Sequence, residues 1–126
     1  MPKRLLKSAC AALLAVLLGL GMEAAGTRLN RVAMKANGGR MPALVITQGD
    51  RDFMAIDYDY VPLTRQSRLI PLCDWVVVPA VDWFEEVRKD TMSPGDALFR
   101  LGQAYILTAP FLALGLLALG RANRQY

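Results

Sequence analysis

Four aspartates lie close together near the middle of the chain: Asp50, Asp52, Asp57 and Asp59. Ca²⁺ accepts carboxylate oxygens as ligands, but a calcium site needs six or more converging oxygens, and this spacing matches no EF-hand loop. Solvated loop acids are the preferred interpretation. The sequence therefore assigns no metal ligand in this cluster.

Asp74 and Asp82 stand in apolar surroundings, which raise a carboxyl pKa toward values suited to acid–base chemistry. Catalysis also needs a nucleophile and a base held together, and the chain has no histidine. Helix capping, or pairing with Arg65 and Arg68, is the simpler role for both aspartates. The neighbouring carboxylate is expected to raise the pKa of the Cys73 thiol and leave it inert.

The two cysteines, Cys10 and Cys73, lie in very different surroundings, one in an apolar block and one in the polar centre of the chain. They are poor disulfide partners, and two cysteines without histidine do not make a zinc site. We therefore expect no enzyme and no catalytic, cofactor-binding or metal-binding residues.

The apolar residues are concentrated in two blocks, 5–22 and 101–120, although hydrophobic residues make up 54% of all 126. A soluble domain distributes such residues at helical or strand spacing. About 20 residues at a rise of about 1.5 Å cover the roughly 30 Å hydrocarbon core of a bilayer. The sequence thus predicts a mainly α membrane protein with two transmembrane helices.

The first helix is expected to extend beyond the membrane, so that the transmembrane helix and its outward extension together occupy residues 1–37. Apolar residues there recur at helical spacing on one side and basic residues lie on the other: Leu29, Val32, Ala33 and Ala36 against Arg28, Arg31 and Lys35. Asn37-Gly38-Gly39 supplies the left-handed conformation of a helix C-terminus.

The second helix has a well-marked start and belongs to a C-terminal segment, 93–126. Ser93 is placed at the N-cap, Pro94 at the first helical position and Asp96 at the third. Pro110 should kink the helix, and Thr108 or water is expected to satisfy the freed carbonyl.

Small residues in both blocks are expected to let the helices approach each other or another copy of the chain. They are Gly19, Gly21, Gly115 and Gly120. None of them forms a strict GxxxG motif.

The net charge of +4 comes from the two tails, in which five basic residues are not accompanied by acids: Lys3, Arg4, Lys7, Arg121 and Arg124. By the positive-inside rule both termini are cytoplasmic, in a multi-pass protein of the cell inner membrane. No basic patch interleaved with aromatic residues is present, so nucleic acid is not an expected partner.

The remaining segment, 38–92, is expected to be extracytoplasmic. Branched residues favour a short strand at 43–47, and a turn followed by a returning strand at 53–60 would complete a short β-hairpin. The interrupted apolar stretch 69–84 is expected at the outer membrane interface with Trp75, Trp83, Tyr58 and Tyr60. The charged run 85–90 should be solvated.

Five short motifs follow one another along the chain: Asn30, Asn37-Gly38-Gly39-Arg40-Met41-Pro42, Thr64-Arg65-Gln66-Ser67-Arg68-Leu69, Leu72-Cys73-Asp74 and Ser93-Pro94-Gly95-Asp96. Through them the chain resembles a family of bacterial integral membrane proteins of uncharacterised function. The resemblance implies that the Asn-Gly-Gly element ends a membrane helix and that Ser-Pro-Gly-Asp begins the final one. It assigns no catalytic residue. The chain departs from the family in lacking its preceding membrane helices and in the basic residues Arg31 and Lys35.

Three functional hypotheses follow. The first is a non-enzymatic subunit or assembly component of a bacterial membrane complex, with the bilayer and other membrane subunits or further copies as partners. The alternative is an exported binding module tethered by its C-terminal helix after cleavage of the N-terminal block as a signal peptide. A transporter or enzyme is the least favoured, because Glu23 is the only acid near a predicted span.

Overall fold

The computed structural model of the protein describes residues 3–80 and 88–122. Two long helices bracket a run of short elements, which in chain order are α1 (Lys3–Ala36), β1 (Met41–Ala43), α2 (Gln48–Ile56), β2 (Tyr60–Pro62), a 3₁₀ turn (Ile70–Leu72), β3 (Val76–Ala80), β4 (Arg88–Met92) and α3 (Pro94–Ala122). Two helices, over Leu5–Ala36 and Pro94–Leu119, are long and apolar enough to cross a membrane. The prediction of a mainly helical chain with two such helices is confirmed.

The chain divides into two compact units. The first contains the residues up to Ala24 and those from Phe99 onward, and the second runs Ala25–Leu98. The last turns of α1 and the first turn of α3 hydrogen-bond to each other and belong to the second unit. The predicted segments 1–37, 38–92 and 93–126 describe position relative to a membrane and stay a prediction.

In the first unit, α1 and α3 meet at a pair of glycines. A Cβ added to Gly19 would lie 2.6 Å from the Gly102 carbonyl oxygen, and one added to Gly102 would lie 2.5 Å from the Gly19 carbonyl oxygen. Glycine permits this approach because it has no side chain. Gly21 and Gly115, which the sequence also singled out, would meet nothing within 4 Å.

The first unit buries small side chains and exposes large ones. Ser8, Ala15 and Ala109 are buried, whereas leucines such as Leu13 and Leu107 are exposed. A water-soluble helical pair would do the reverse, because large apolar side chains gain most from leaving water. Both helices therefore leave large apolar side chains exposed within the described chain.

The C-terminus of α1 lies where the sequence predicts it. Gly38 and Gly39 have φ angles of 73° and 88°, and the Gly39 N–H donates to the Met34 carbonyl at 2.8 Å. This is the left-handed helix ending that glycine favours. Ala33 is buried as expected, but Val32 is 50% exposed.

Helix α3 begins at Pro94 with the predicted Ser93–Asp96 capping box, and it continues through Pro110. The proline cannot donate to the Ile106 carbonyl. Thr108 Oγ1 donates instead to the carbonyls of Ala104 and Tyr105, at 2.8 and 3.2 Å. Of the two partners expected for the freed Ile106 carbonyl, Thr108 is wrong, because its hydroxyl bonds to other carbonyls, and water stays a prediction.

Strand β1 is the buried centre of the second unit. It pairs in parallel with β2, with Met41 opposite Tyr60, and Ala43 forms a parallel bridge with Asp74 on its other side. The Leu44 N–H donates to the Asp74 carbonyl at 2.7 Å. The short strand therefore contacts two distant segments of the chain.

The predicted β-hairpin between 43–47 and 53–60 is wrong, because residues 48–56 form α2. The Asp50 N–H donates to Thr47 Oγ1 at 3.2 Å, and the Thr47 N–H donates to Asp50 Oδ2 at 2.6 Å. This capping box starts a helix where the sequence suggested a turn. The antiparallel pair lies instead between β3 and β4, with Val76 opposite Met92.

Candidate functional site

A polar junction, defined here as Asn30, Ser93, Gly95 and Asp96, links α1 to the start of α3 within the second unit. Asn30 Nδ2 donates to Asp96 Oδ1 at 2.6 Å, and Ser93 Oγ donates to Asn30 Oδ1 at 2.7 Å. The Asp96 N–H in turn donates to Ser93 Oγ at 2.9 Å. One asparagine thus bonds to both side chains of the capping box.

The junction is tightly packed as well as hydrogen-bonded. Ser93 is fully buried. A Cβ added to Gly95 would overlap Asn30 Oδ1 and lie 2.7 Å from the Gly26 carbonyl oxygen. Buried polar groups are costly unless they are paired, so this network stabilises one arrangement of the two helix ends.

Asn37 forms a second connection across the unit. Its Nδ2 donates to the Arg68 carbonyl at 2.8 Å, and its Oδ1 accepts the Arg68 N–H at 2.7 Å. The same Nδ2 also donates to the Ala33 carbonyl at 2.8 Å. The side chain therefore holds the 64–69 loop against the end of α1.

Arg40 holds the chain around β2 through main-chain carbonyls. Its Nε donates to the Tyr58 carbonyl at 2.7 Å, and one terminal nitrogen donates to the Tyr60 carbonyl at 2.5 Å. These bonds occupy the guanidinium with the protein's own backbone. The arrangement is structural and leaves little of this side chain for a ligand.

Cys73 is fully buried next to Leu69, which has a left-handed φ of 53° that is unfavourable for a leucine. Cys73 Sγ donates to the Leu69 carbonyl at 3.4 Å. Desolvation first, and then the charge of Asp74, raise the pKa of the Cys73 thiol. The predicted effect of the adjacent carboxylate is confirmed, and the thiolate is disfavoured at neutral pH.

Tyr60, also in the second unit, has a raised pKa as well. Desolvation is the main cause, followed by the negative charges of Asp74 and Asp96 and, less strongly, of Asp57 and Asp59. Its hydroxyl therefore stays protonated at neutral pH. Neither Tyr60 nor Cys73 is set up as a nucleophile.

Three of the four clustered aspartates, Asp50, Asp52 and Asp57, accept local hydrogen bonds through their side chains. Desolvation is the largest single effect on the Asp50 carboxyl and raises its pKa. Three hydrogen bonds, from the backbone of Thr47 and Ile46 and from the Thr47 side chain, together outweigh it, so the pKa of Asp50 is lowered. Asp52 accepts from Gln48 Nε2, and Asp57 accepts the Asp59 N–H. Within residues 3–80 and 88–122, no group of three or more potential metal-binding side chains was found.

An apolar patch, defined as Phe53, Ile56 and Tyr58, lies at the C-terminal end of α2. Phe53 contacts Tyr60 with ring centroids 6.2 Å apart, yet Ile56 is 75% and Tyr58 84% exposed. No residue of α2 is buried. An apolar helix end presented in this way is typical of a surface that contacts another molecule.

The predicted interfacial stretch is described only in part. Trp75 is exposed, and its indole N–H donates to the Pro71 carbonyl at 3.1 Å. Asp82, Trp83 and residues 85–87 of the charged run lie outside the described residues. The predicted roles of those residues therefore stay predictions.

The residues that carry the family resemblance hydrogen-bond to one another across long stretches of sequence. Asn30 hydrogen-bonds to Ser93 and Asp96, and Asn37 hydrogen-bonds to Arg68. The backbone of Asp74 forms a β-bridge with Ala43 of β1. Sequence reasoning assigned Asn37 only to the end of α1. A motif asparagine followed by two glycines that already end the helix was the signal that its side chain has another partner.

Comparison with protein-family models, curated proteins and solved structures gives no match for this chain. The resemblance to an uncharacterised membrane family therefore stays a prediction from the motif residues.

Proposed function

We propose that the protein is a non-enzymatic integral membrane protein that acts as a subunit or assembly component of a bacterial membrane complex. In this proposal the two apolar helices span the inner membrane and both termini are cytoplasmic. The second unit then lies on the extracytoplasmic side and presents the apolar patch to another membrane subunit or to a second copy. The exposure of that patch is the observation that carries the proposal.

The state of the potential nucleophiles supports a non-enzymatic role. The raised pKa values of Cys73 and Tyr60 disfavour the thiolate and the phenolate. The polar side chains of Asn30, Ser93 and Asp96 are occupied with one another. A catalytic site needs polar groups available to a substrate, and these groups maintain the fold instead.

The rigidity of the second unit supports an interaction role. Hydrogen bonds hold the loops and helix ends of this unit in place, and they are made by Asn37, Arg40 and the polar junction. A pre-organised surface binds a partner more tightly, because less conformational freedom is lost on association. Among these bonds, the one from Arg40 Nε to the Tyr58 carbonyl holds the backbone of one residue of the apolar patch.

Photo-crosslinking in native membranes tests the proposal. We expect p-benzoylphenylalanine at Ile56 to form a discrete protein adduct, and the same probe at the exposed, polar Gln66 to form none. A Phe53→Ser/Tyr58→Ser variant should weaken the assembly by roughly a hundredfold, because each buried large apolar side chain contributes roughly 1.5–3 kcal/mol. Native mass measurements would then show the 13.9 kDa monomer.

The matched control is Arg51→Ser/Arg65→Ser, which changes two exposed polar positions of the same unit. It should leave the assembly intact. A wild-type protein that is monomeric in membranes and forms no protein adduct through Ile56 would contradict the proposal.

A further inference from the structure

A basic row, defined as Arg28, Arg31 and Lys35, follows the apolar part of α1. The three side chains lie at spacings of three and four residues, which places them on one face of the helix. All three are exposed or half-buried, while Gly26 and Ala33 on the other side are buried. The row therefore points away from the second unit to which this part of α1 belongs.

The row lacks an acidic counterpart within the described chain. The chain carries 11 acidic residues, but no ion pair joins one of them to Arg28, Arg31 or Lys35 among residues 3–80 and 88–122. Three like charges on adjacent helical turns repel one another. An anionic partner outside the chain would relieve this repulsion.

The helix geometry places these charges beside the membrane if α1 spans it. At about 1.5 Å per residue, a helix that enters the hydrocarbon core at Leu5 has crossed its roughly 30 Å by Ala25. Arg28 then lies about 5 Å and Arg31 about 9 Å further along the helix. The headgroup layer is roughly 5–8 Å thick on each side of the hydrocarbon core. Each Cα–Cβ bond of a helix tilts toward its N-terminus, so the side chains, Lys35 included, lean back toward the bilayer.

We propose that the basic row binds the headgroups of anionic phospholipids in the leaflet where α1 leaves the membrane. Arginine donates to phosphate oxygens in a bidentate manner, and lysine supplies a flexible point charge. The inference rests on the proposed membrane insertion of α1. The inference holds for either orientation of α1, because it specifies the leaflet at which α1 leaves the membrane and not whether that leaflet faces the cytoplasm.

Electron spin resonance of the full-length protein in phosphatidylcholine vesicles tests this inference. Spin-labelled phosphatidylglycerol should be immobilised by the protein in preference to spin-labelled phosphatidylcholine. Each basic residue near a membrane surface favours anionic lipid by about fivefold. An Arg28→Gln/Arg31→Gln/Lys35→Gln variant should therefore lose roughly tenfold or more of the selectivity.

The control Arg51→Gln/Arg65→Gln/Arg68→Gln removes the same charge from exposed positions elsewhere in the unit and should retain the selectivity. The Arg28→Lys/Arg31→Lys variant keeps the charge and should also retain the selectivity for anionic lipid. About 1 M salt should abolish that selectivity. Equal selectivity in the wild type and the row variant would overturn the inference. Failure of the protein to immobilise either lipid would instead contradict the membrane insertion in the proposed function.

Discussion

Replacing Asn30 with alanine is expected to raise the rate at which a maleimide labels Cys73 by about thirtyfold or more. Cys73 is fully buried in the second unit, so in a Cys10→Ser background its labelling reports the opening of that unit. The variant leaves Ser93 Oγ and Asp96 Oδ1 without their partner. Ser93 is fully buried and Asp96 half-buried; a buried group left without its partner costs about 1–3 kcal/mol, and tenfold in rate corresponds to about 1.4 kcal/mol.

Two further variants separate the hydrogen bonds from simple loss of volume. Asn30→Asp places a second carboxylate against Asp96 and should label faster than Asn30→Ala at pH 7. Two adjacent carboxylates raise the pKa of one of them in the folded state. The folded state then binds more protons than the unfolded state, so this variant should regain stability as the pH falls through that raised pKa.

The exchange Asn30→Asp/Asp96→Asn should restore most of the protection of Cys73. The new carboxylate at position 30 would accept from Ser93 Oγ and from the new amide at position 96, and that amide oxygen would accept the Ser93 N–H. Labelling of the exchange variant as fast as that of Asn30→Asp would show that the polar junction does not hold the unit closed.

Gly95→Ala is expected to destabilise the second unit by about 1–3 kcal/mol, the usual cost of overpacking. The added methyl group would collide with Asn30 and with the Gly26 backbone. A backbone carbonyl within a helix moves only with the helix itself, so the collision cannot be relieved by a change of rotamer. Cys73 labelling should accelerate by roughly tenfold or more.

Gly49→Ala is the matched control. A Cβ at Gly49 would lie 3.6 Å from Thr47 Oγ1, an ordinary contact, and this glycine lies in the first turn of α2. Glycine-to-alanine substitution at a compatible position stabilises by about 0.4–1 kcal/mol, because the unfolded chain loses freedom. Equal labelling rates for Gly95→Ala and Gly49→Ala would contradict the close packing at Gly95.

The helix ends could be predicted because their chemistry is local. Gly38 and Gly39 end α1, and Ser93 with Asp96 begins α3, through bonds that span no more than five residues. The same logic applied to Thr47 and Asp50 would have located α2. There the branched residues at 43–47 favour a strand and a turn, and this signal hides the cap.

The long-range contacts could not be predicted from local pattern. Asn30 and Ser93 are 63 residues apart, and no periodicity connects them. The role of Gly102 cannot be predicted from the sequence, because only the position of Gly19 on the other helix gives this glycine a partner. Pairings of this kind are set by the path of the whole chain.

Mass spectrometry of the intact Cys10→Ser/Gln66→Cys variant, after an impermeant maleimide has been applied to spheroplasts, tests the membrane topology most directly. Gln66 is exposed and Cys73 is fully buried, so one label reports the side on which the second unit lies. We predict a singly labelled protein whose mass includes the N-terminal apolar block. A protein labelled only after the membrane is permeabilised, or one whose mass lacks that block, would contradict a two-span protein with both termini in the cytoplasm.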